Sequence, residues 1–184
     1  QIYPDYAEAY GQRGSVFEQA RQFEKADRDY LEYYSRKIAD DPTVTRYWQD
    51  RSIVHYRLKQ LEAALGDATK LIELAPDNAR HHSWRKKLYC CIEDYSKAVE
   101  DAKMVVELMP EDAKANDSLA WLYVTSPPEV RNPQAALQLA KKAVQISPDS
   151  FQFRTTLGAA HYRMKQYEQA IKELVEGLEL PDAT

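Results

Sequence analysis

The chain has 184 residues, 44% of them apolar, only five glycines, and a formal net charge of −4. So little glycine gives too little turn chemistry for an all-β fold and leaves ample material for amphipathic helices. No run of about 18 apolar residues and no signal-peptide pattern occurs, so nothing here is expected to span or target a membrane, and a cytoplasmic setting is expected.

One spacing organises the sequence. Ala26, Ala64, Ala98, Ala136 and Ala170 are separated by 38, 34, 38 and 34 residues, a unit of 34 stretched twice by four. A fixed period of this size is the mark of a repeat architecture. Each alanine is expected where two helices of a hairpin approach most closely, because a methyl side chain permits that approach.

In chain order, Ile2-Tyr3-Pro4-Asp5 followed by Ala7 matches Leu74-Ala75-Pro76-Asp77 followed by Ala79. Residues 1–5 therefore read as the tail of an upstream repeat, and the chain as a piece of something longer; an initial Gln1 agrees. The first repeat spans 7–41. Between Ala26 and Pro42 it lacks any breaker from Tyr30 to Ile38, which predicts a second helix lengthened by about one turn of 3.6 residues. The second repeat spans 43–77 and the third 79–111, each closed by a proline, Pro76 and Pro110, that stops further winding. In the fourth, 113–148, the extra residues include Ser126-Pro127-Pro128 and Asn132-Pro133. Paired prolines predict an interhelical loop, with Asn132 capping a helix that starts at Pro133. The fifth spans 150–182 and closes at Leu180-Pro181-Asp182, leaving an apolar edge of Ile171, Leu174, Val175 and Leu178. Solenoids need a polar cap at such an edge, so further sequence, or another molecule packed there, is expected.

A 34-residue unit with two apolar-periodic segments, the second ending at a proline, resembles the tetratricopeptide repeat. Leu157-Gly158, Tyr167, Ala170 and Pro181 fit that family's pattern in the last unit, and Trp48, Ala64, Leu71 and Pro76 mark the second. The resemblance implies an all-α fold, an α-α superhelix or solenoid of about five helix-turn-helix repeats. Its concave wall, lined mainly by first helices, would bind an extended peptide or partner segment. The fourth unit, with Leu119-Ala120-Trp121-Leu122, Thr125-Ser126-Pro127 and Arg131-Asn132-Pro133, looks like arrays of bacterial multidomain proteins, some attached to eukaryotic-like serine/threonine kinases. This implies an accessory interaction segment; no glycine-rich loop, catalytic-loop motif or Asp-Phe-Gly is present in these residues. The family's chaperone-tail carboxylate clamp needs a lysine and an asparagine where this chain has Gly11 and Ser15, or Gln49 and Ile53, so that specificity is not expected.

Mapped by the family's pattern, the wall carries Arg46, Gln49, Ile53 and Tyr56 with Arg57 alongside in the second unit. Arg80, Ser83 and Lys87 follow in the third, continuing to Cys90 and Cys91, and Lys114, Asp117 and Trp121 in the fourth. These spacings keep each stripe on one helix face. Trp121 has a competing place beneath the proline loop, which tryptophan's usual burial favours. First helices are basic and second helices lean acidic. A positive wall would favour an acidic or carboxylate-bearing peptide, with Ile53, Tyr56 and Trp121 as apolar anchors, although a charged helix face is most often simply solvated.

Arg13, Arg51 and Arg85 recur at one place in the first helices, and Asp29, Asp67 and Asp101 follow sixteen residues later. Both members are absent from the fourth unit, so each pair is expected to bridge its own hairpin.

Enzymatic and metal readings are weak. Cys90 and Cys91 are adjacent, which suits neither a structural disulfide nor a zinc spacing, and His81 and His82 lie more than two turns away. No nucleophile, base and orienting group converge, His55 and His161 fall at packing positions, and no cofactor or metal site is expected. An acidic chain argues against nucleic acid. The expected function is a non-catalytic interaction scaffold, with self-association through the terminal helices as the alternative.

Overall fold

The computed structural model describes residues 6–180. The matched tail at 1–5 and the closing Pro181-Asp182 lie outside the described residues. Ten α-helices occur among the described residues: α1 Tyr6–Gln19, α2 Phe23–Asp40, α3 Thr45–Arg57, α4 Leu61–Leu74, α5 Ala79–Cys91, α6 Tyr95–Leu108, α7 Ala113–Thr125, α8 Pro133–Ile146, α9 Phe151–Arg163 and α10 Tyr167–Leu178. They fall into two compact units, Gln1–Ile92 and Glu93–Thr184. The division runs between α5 and α6, inside the expected third repeat.

In the first unit α1 packs on α2 and α3 on α4; in the second α7 packs on α8 and α9 on α10. All five periodic alanines are buried, Ala64, Ala98 and Ala136 completely. The closeness they permit is visible at Ser52, whose hydroxyl donates to the carbonyl of Ala64 at 2.7 Å. In the last hairpin a β-carbon on Gly158 would lie 3.3 Å from the carbonyl oxygen of Ala170. Ala64 and Ala68 form a core with Leu88, and Ala143 forms another with Ala113 and Phe153.

The two four-residue stretches differ in form. The second helix α2 has 18 residues against 14 in α4, α6 and α8. Between α7 and α8 the proline segment is a loop, and Asn132 caps α8 by accepting from the amide of Ala135. The loop is tied down by the Asn132 amide on the carbonyl of Tyr123 and by Arg131 on that of Ser126.

The helical turns contain a feature with no sequence signal. Arg21, Lys59, Glu93 and Lys165 have φ between 57° and 62°, each five residues before a periodic alanine. Left-handed backbone costs a residue with a β-carbon about 1–2 kcal/mol, and glycine's extra unfolded-state freedom offsets part of the relief from replacing it. Arg21→Gly and Lys165→Gly should each stabilise their own hairpin by about 0.5 kcal/mol. Urea midpoints should rise, and a fall for both variants would show that the side chains matter more than the turn.

Candidate functional site

The arginine–aspartate bridges form in both hairpins that lie within the first unit. Arg13 makes paired bonds of 2.7 and 2.8 Å to Asp29, and Arg51 makes bonds of 2.9 and 2.7 Å to Asp67. Arg51 also reaches Ser35 at 3.2 Å and lies 5.0 Å from the centroid of the Trp48 ring. Arg85 and Asp101 belong to different units, and their bridge stays a proposal.

These bonds change the electrostatics of α3. Three arginines from Thr45 to Leu58 suggest a basic wall, but each has an acidic partner. Arg46 sits 3.5 Å from Asp50, Arg51 is forked onto Asp67, and Arg57 is joined to Asp27 on α2. Asp27 is buried, and burial pushes its carboxyl above the usual range while Arg57 pulls the other way. The positive charge of α3 is thus matched by Asp50 on the same helix and by Asp27 and Asp67 on its neighbours, which arginine stems are long enough to reach.

Positive charge persists on α5. Arg80 and Lys87 are exposed and Ser83 is half-buried. The Lys87 ammonium stands 4.6 Å from the centroid of Tyr56 and 5.3 Å from that of Trp84, within cation–π range. Lys59 approaches Tyr56 at 5.9 Å. The two rings meet edge-on at 5.4 Å, and the Trp84 indole donates to Ser52 at 2.7 Å. Since Ser52 is itself bonded to Ala64, the stack is held through α3, α4 and α5. Tyr56 and Lys87 are thereby brought together, while Trp84, which fixes them, is not among the residues expected from sequence. A tryptophan four residues before the buried Leu88 reads as core alone.

A second feature lies on the other side of α3. Glu18, Tyr30, Tyr34, Asp50, Ile53, Val54 and Arg57 line a pocket of about 240 Å3. Tyr30 donates to Glu18 at 2.9 Å. The Tyr34 hydroxyl is pushed up to about 12, first by burial and then by the nearby charge of Asp50, so it stays protonated. Of the expected wall residues, Ile53 and Arg57 belong here. Gln49 is exposed on the same helix. The tyrosines come from the lengthened α2, whose Tyr30, Tyr33 and Tyr34 were the available signal.

In the second unit the expected stripe does not hold together. Lys114 is exposed, but Asp117 is only 2% exposed and accepts from Gln152 of α9 at 2.9 Å, so it serves packing between first helices and is no open wall position. Trp121 is 45% exposed, which corrects the reading that put it under the proline loop. Buried Tyr123 anchors that loop instead, through its carbonyl.

The histidines act as hydrogen-bonded packing groups. His81 is bonded to the carbonyl of Leu71 and to Asn78, and His82 to the carbonyl of Pro76. His55 and His161 each meet a glutamine five residues on, Gln60 and Gln166, at 2.7 Å. No group of three or more metal-capable side chains occurs among the described residues. Among the same residues no helix is long and apolar enough to cross a membrane. Gly11 packs on the Tyr33 ring, where an added β-carbon would stand 3.2 Å away. The lysine of a carboxylate clamp would have to displace that ring.

Antiparallel helix pairs with a buried alanine at one recurring place define a helical-hairpin repeat protein. Residues 129–180 match the family described as tetratricopeptide repeat. Hsp70-Hsp90 organizing protein 3 of Arabidopsis thaliana is 28% identical over 97 residues, which are 53% of this chain but 17% of that protein. The chain thus spans less than a fifth of this relative. Among solved structures, MamA 41-end from Desulfovibrio magneticus RS-1 aligns with a TM-score of 0.76 at 19% identity, covering 98% of this chain and 97% of its own. YrrB, described as a TPR protein with an unusual peptide-binding site, aligns at 0.73 and 14% identity, covering 94% of this chain and 85% of its own. The family match covers α9, α10 and the α8 helix before them, and the solved structures share the fold of the chain.

Proposed function

We infer that this chain is a non-catalytic interaction scaffold that binds an extended peptide or partner segment along the first helices of its first unit. The observation that carries the reading is the stack of Tyr56, Trp84 and Lys87. Two half-buried aromatic rings and an exposed ammonium are held together by bonds reaching into the core. Such a rigid aromatic and cationic anchor fits the profile of an interaction hot spot. With Arg80 one heptad earlier on α5, it suits a segment bearing acidic side chains or a carboxylate. The fold shared with YrrB and the match to the organizing protein support a binding role, and the latter's greater length agrees with an accessory segment in a larger protein.

The reading is tested by selecting a randomised octapeptide display library on the full chain. Peptides enriched in aspartate or glutamate are expected. Lys87→Glu, with unchanged helicity by circular dichroism, should weaken the selected peptides at least about tenfold, the scale of losing a charge pair at a central anchor. Unchanged capture by both Lys87→Glu and Arg80→Glu would remove these residues from the site.

A second reading, self-association through the terminal helices, is favoured by α10, where Ile171, Val175 and Leu178 are 63%, 50% and 67% exposed on one edge. Apolar residues grouped in this way call for a cover. Sedimentation of the full chain separates the two readings: a monomer that captures peptides supports the first, and a dimer dispersed by Ile171→Glu supports the second.

A further inference from the structure

We propose that the pocket between α1, α2 and α3 receives an arginine side chain, presented by the same bound segment whose acidic part meets Lys87. The identity of the carrier rests on the peptide-binding reading; the chemistry of the pocket does not.

Three observations point to a guanidinium. First, the pocket is walled by the tyrosine rings of Tyr30 and Tyr34, whose centroids are 6.2 Å apart, and tyrosine faces attract planar cations. Second, its charge is short of cations. Arg57 is joined to buried Asp27, which offsets it, and Arg46 stands against Asp50, leaving Glu18 in excess. Third, Asp50 already faces a guanidinium. The Arg46 side chain is 84% exposed and its Nε is 3.5 Å from the carboxylate, a loose contact at the rim. An incoming arginine would make shorter bonds to Asp50 and Glu18 and lie against the rings, displacing Arg46 outward. The Glu18 carboxylate also accepts a hydrogen bond from the Tyr30 hydroxyl, which holds it in place while leaving lone pairs for a forked donor.

The assignment gives the bound segment a polarity: an arginine on the α2 side of α3 and acidic residues on the α5 side. A uniformly acidic peptide would satisfy only half of this surface.

The experiment uses the full chain and two small probes, N-acetylarginine methylamide and its neutral isostere N-acetylcitrulline methylamide. Proton resonances of the Tyr30 and Tyr34 rings are followed as each probe is added at millimolar concentration. Arginine amide should shift both rings and bind about fivefold or more tightly than the citrulline amide, the scale of a cation–π contact in a partly desolvated site. Glu18→Gln with Asp50→Asn should abolish the preference, and Arg46→Ala should strengthen binding by removing the competitor. Equal shifts with both probes, no shift with either, or a preference that survives the double substitution would overturn the proposal. Lys87→Glu should leave this titration unchanged, so the pocket can succeed or fail apart from the peptide wall.

Discussion

Replacing Asp67 with alanine should lower the stability of the first unit by about 2–3 kcal/mol, because it strands a guanidinium that is mostly out of water. The side chains of Arg51 and Asp67 are 19% and 5% exposed. Removing one member of a fully buried pair costs about 3–5 kcal/mol, and the residual exposure of Arg51 lowers the figure. The loss should be conditional. Arg51→Met with Asp67→Leu removes both charges together, and its stability should return to within about 1 kcal/mol of the parent. The Arg13 side chain, 59% exposed, can rehydrate, so Asp29→Ala should cost visibly less than Asp67→Ala. Urea unfolding followed by tryptophan fluorescence, with Trp48 and Trp84 as reporters, measures all three variants. Equal losses at Asp29 and Asp67 would contradict the account of burial.

Ala64→Leu should cost about 2–3 kcal/mol, because extra methylenes must enter a contact with no free space. Ala64 is fully buried, and its carbonyl already holds the Ser52 hydroxyl that in turn orients Trp84. Forcing α3 and α4 apart would therefore loosen the Tyr56–Trp84–Lys87 stack as well. The neighbouring Ala63 is exposed, so Ala63→Leu should stay within about 0.5 kcal/mol of the parent, leucine and alanine being similar in helix propensity. Thermal melts of the two variants decide the matter; comparable melting temperatures would mean that the periodic alanine is incidental.

Features set by steric demand were legible from the sequence. Only a small residue fits where paired helices nearly touch, so Ala26, Ala64, Ala136 and Ala170 mark the hairpins that lie within one unit. A missing breaker lengthened α2, and paired prolines opened the loop before α8. The joint occurrence of arginine and aspartate also revealed Arg13–Asp29 and Arg51–Asp67, since a bridge constrains both ends at once.

Properties that depend on distant neighbours were not legible. Nothing near Arg57 announces Asp27, thirty residues earlier, so a run of arginines looked like a basic surface when each has an acidic partner. Trp121 is exposed and Asp117 buried, the reverse of what their types suggest, because burial follows from how α7 and α9 meet. The left-handed turns at Arg21, Lys59 and Lys165 use residues with no turn preference, their backbone being imposed by the helices on either side. The tyrosine pocket needs α1, α2 and α3 together, and only its α2 wall, with Tyr30 and Tyr34, shows in the linear sequence.

The most direct test of the proposed binding surface is the indole N–H resonances of the three tryptophans as a library-selected acidic peptide is added. The account predicts that Trp84 shifts with saturation while Trp48, bonded to the carbonyl of Pro42 at 2.9 Å, moves little. A peptide that saturates the chain while Trp84 stays still and Trp121 responds would place binding in the second unit and contradict the account.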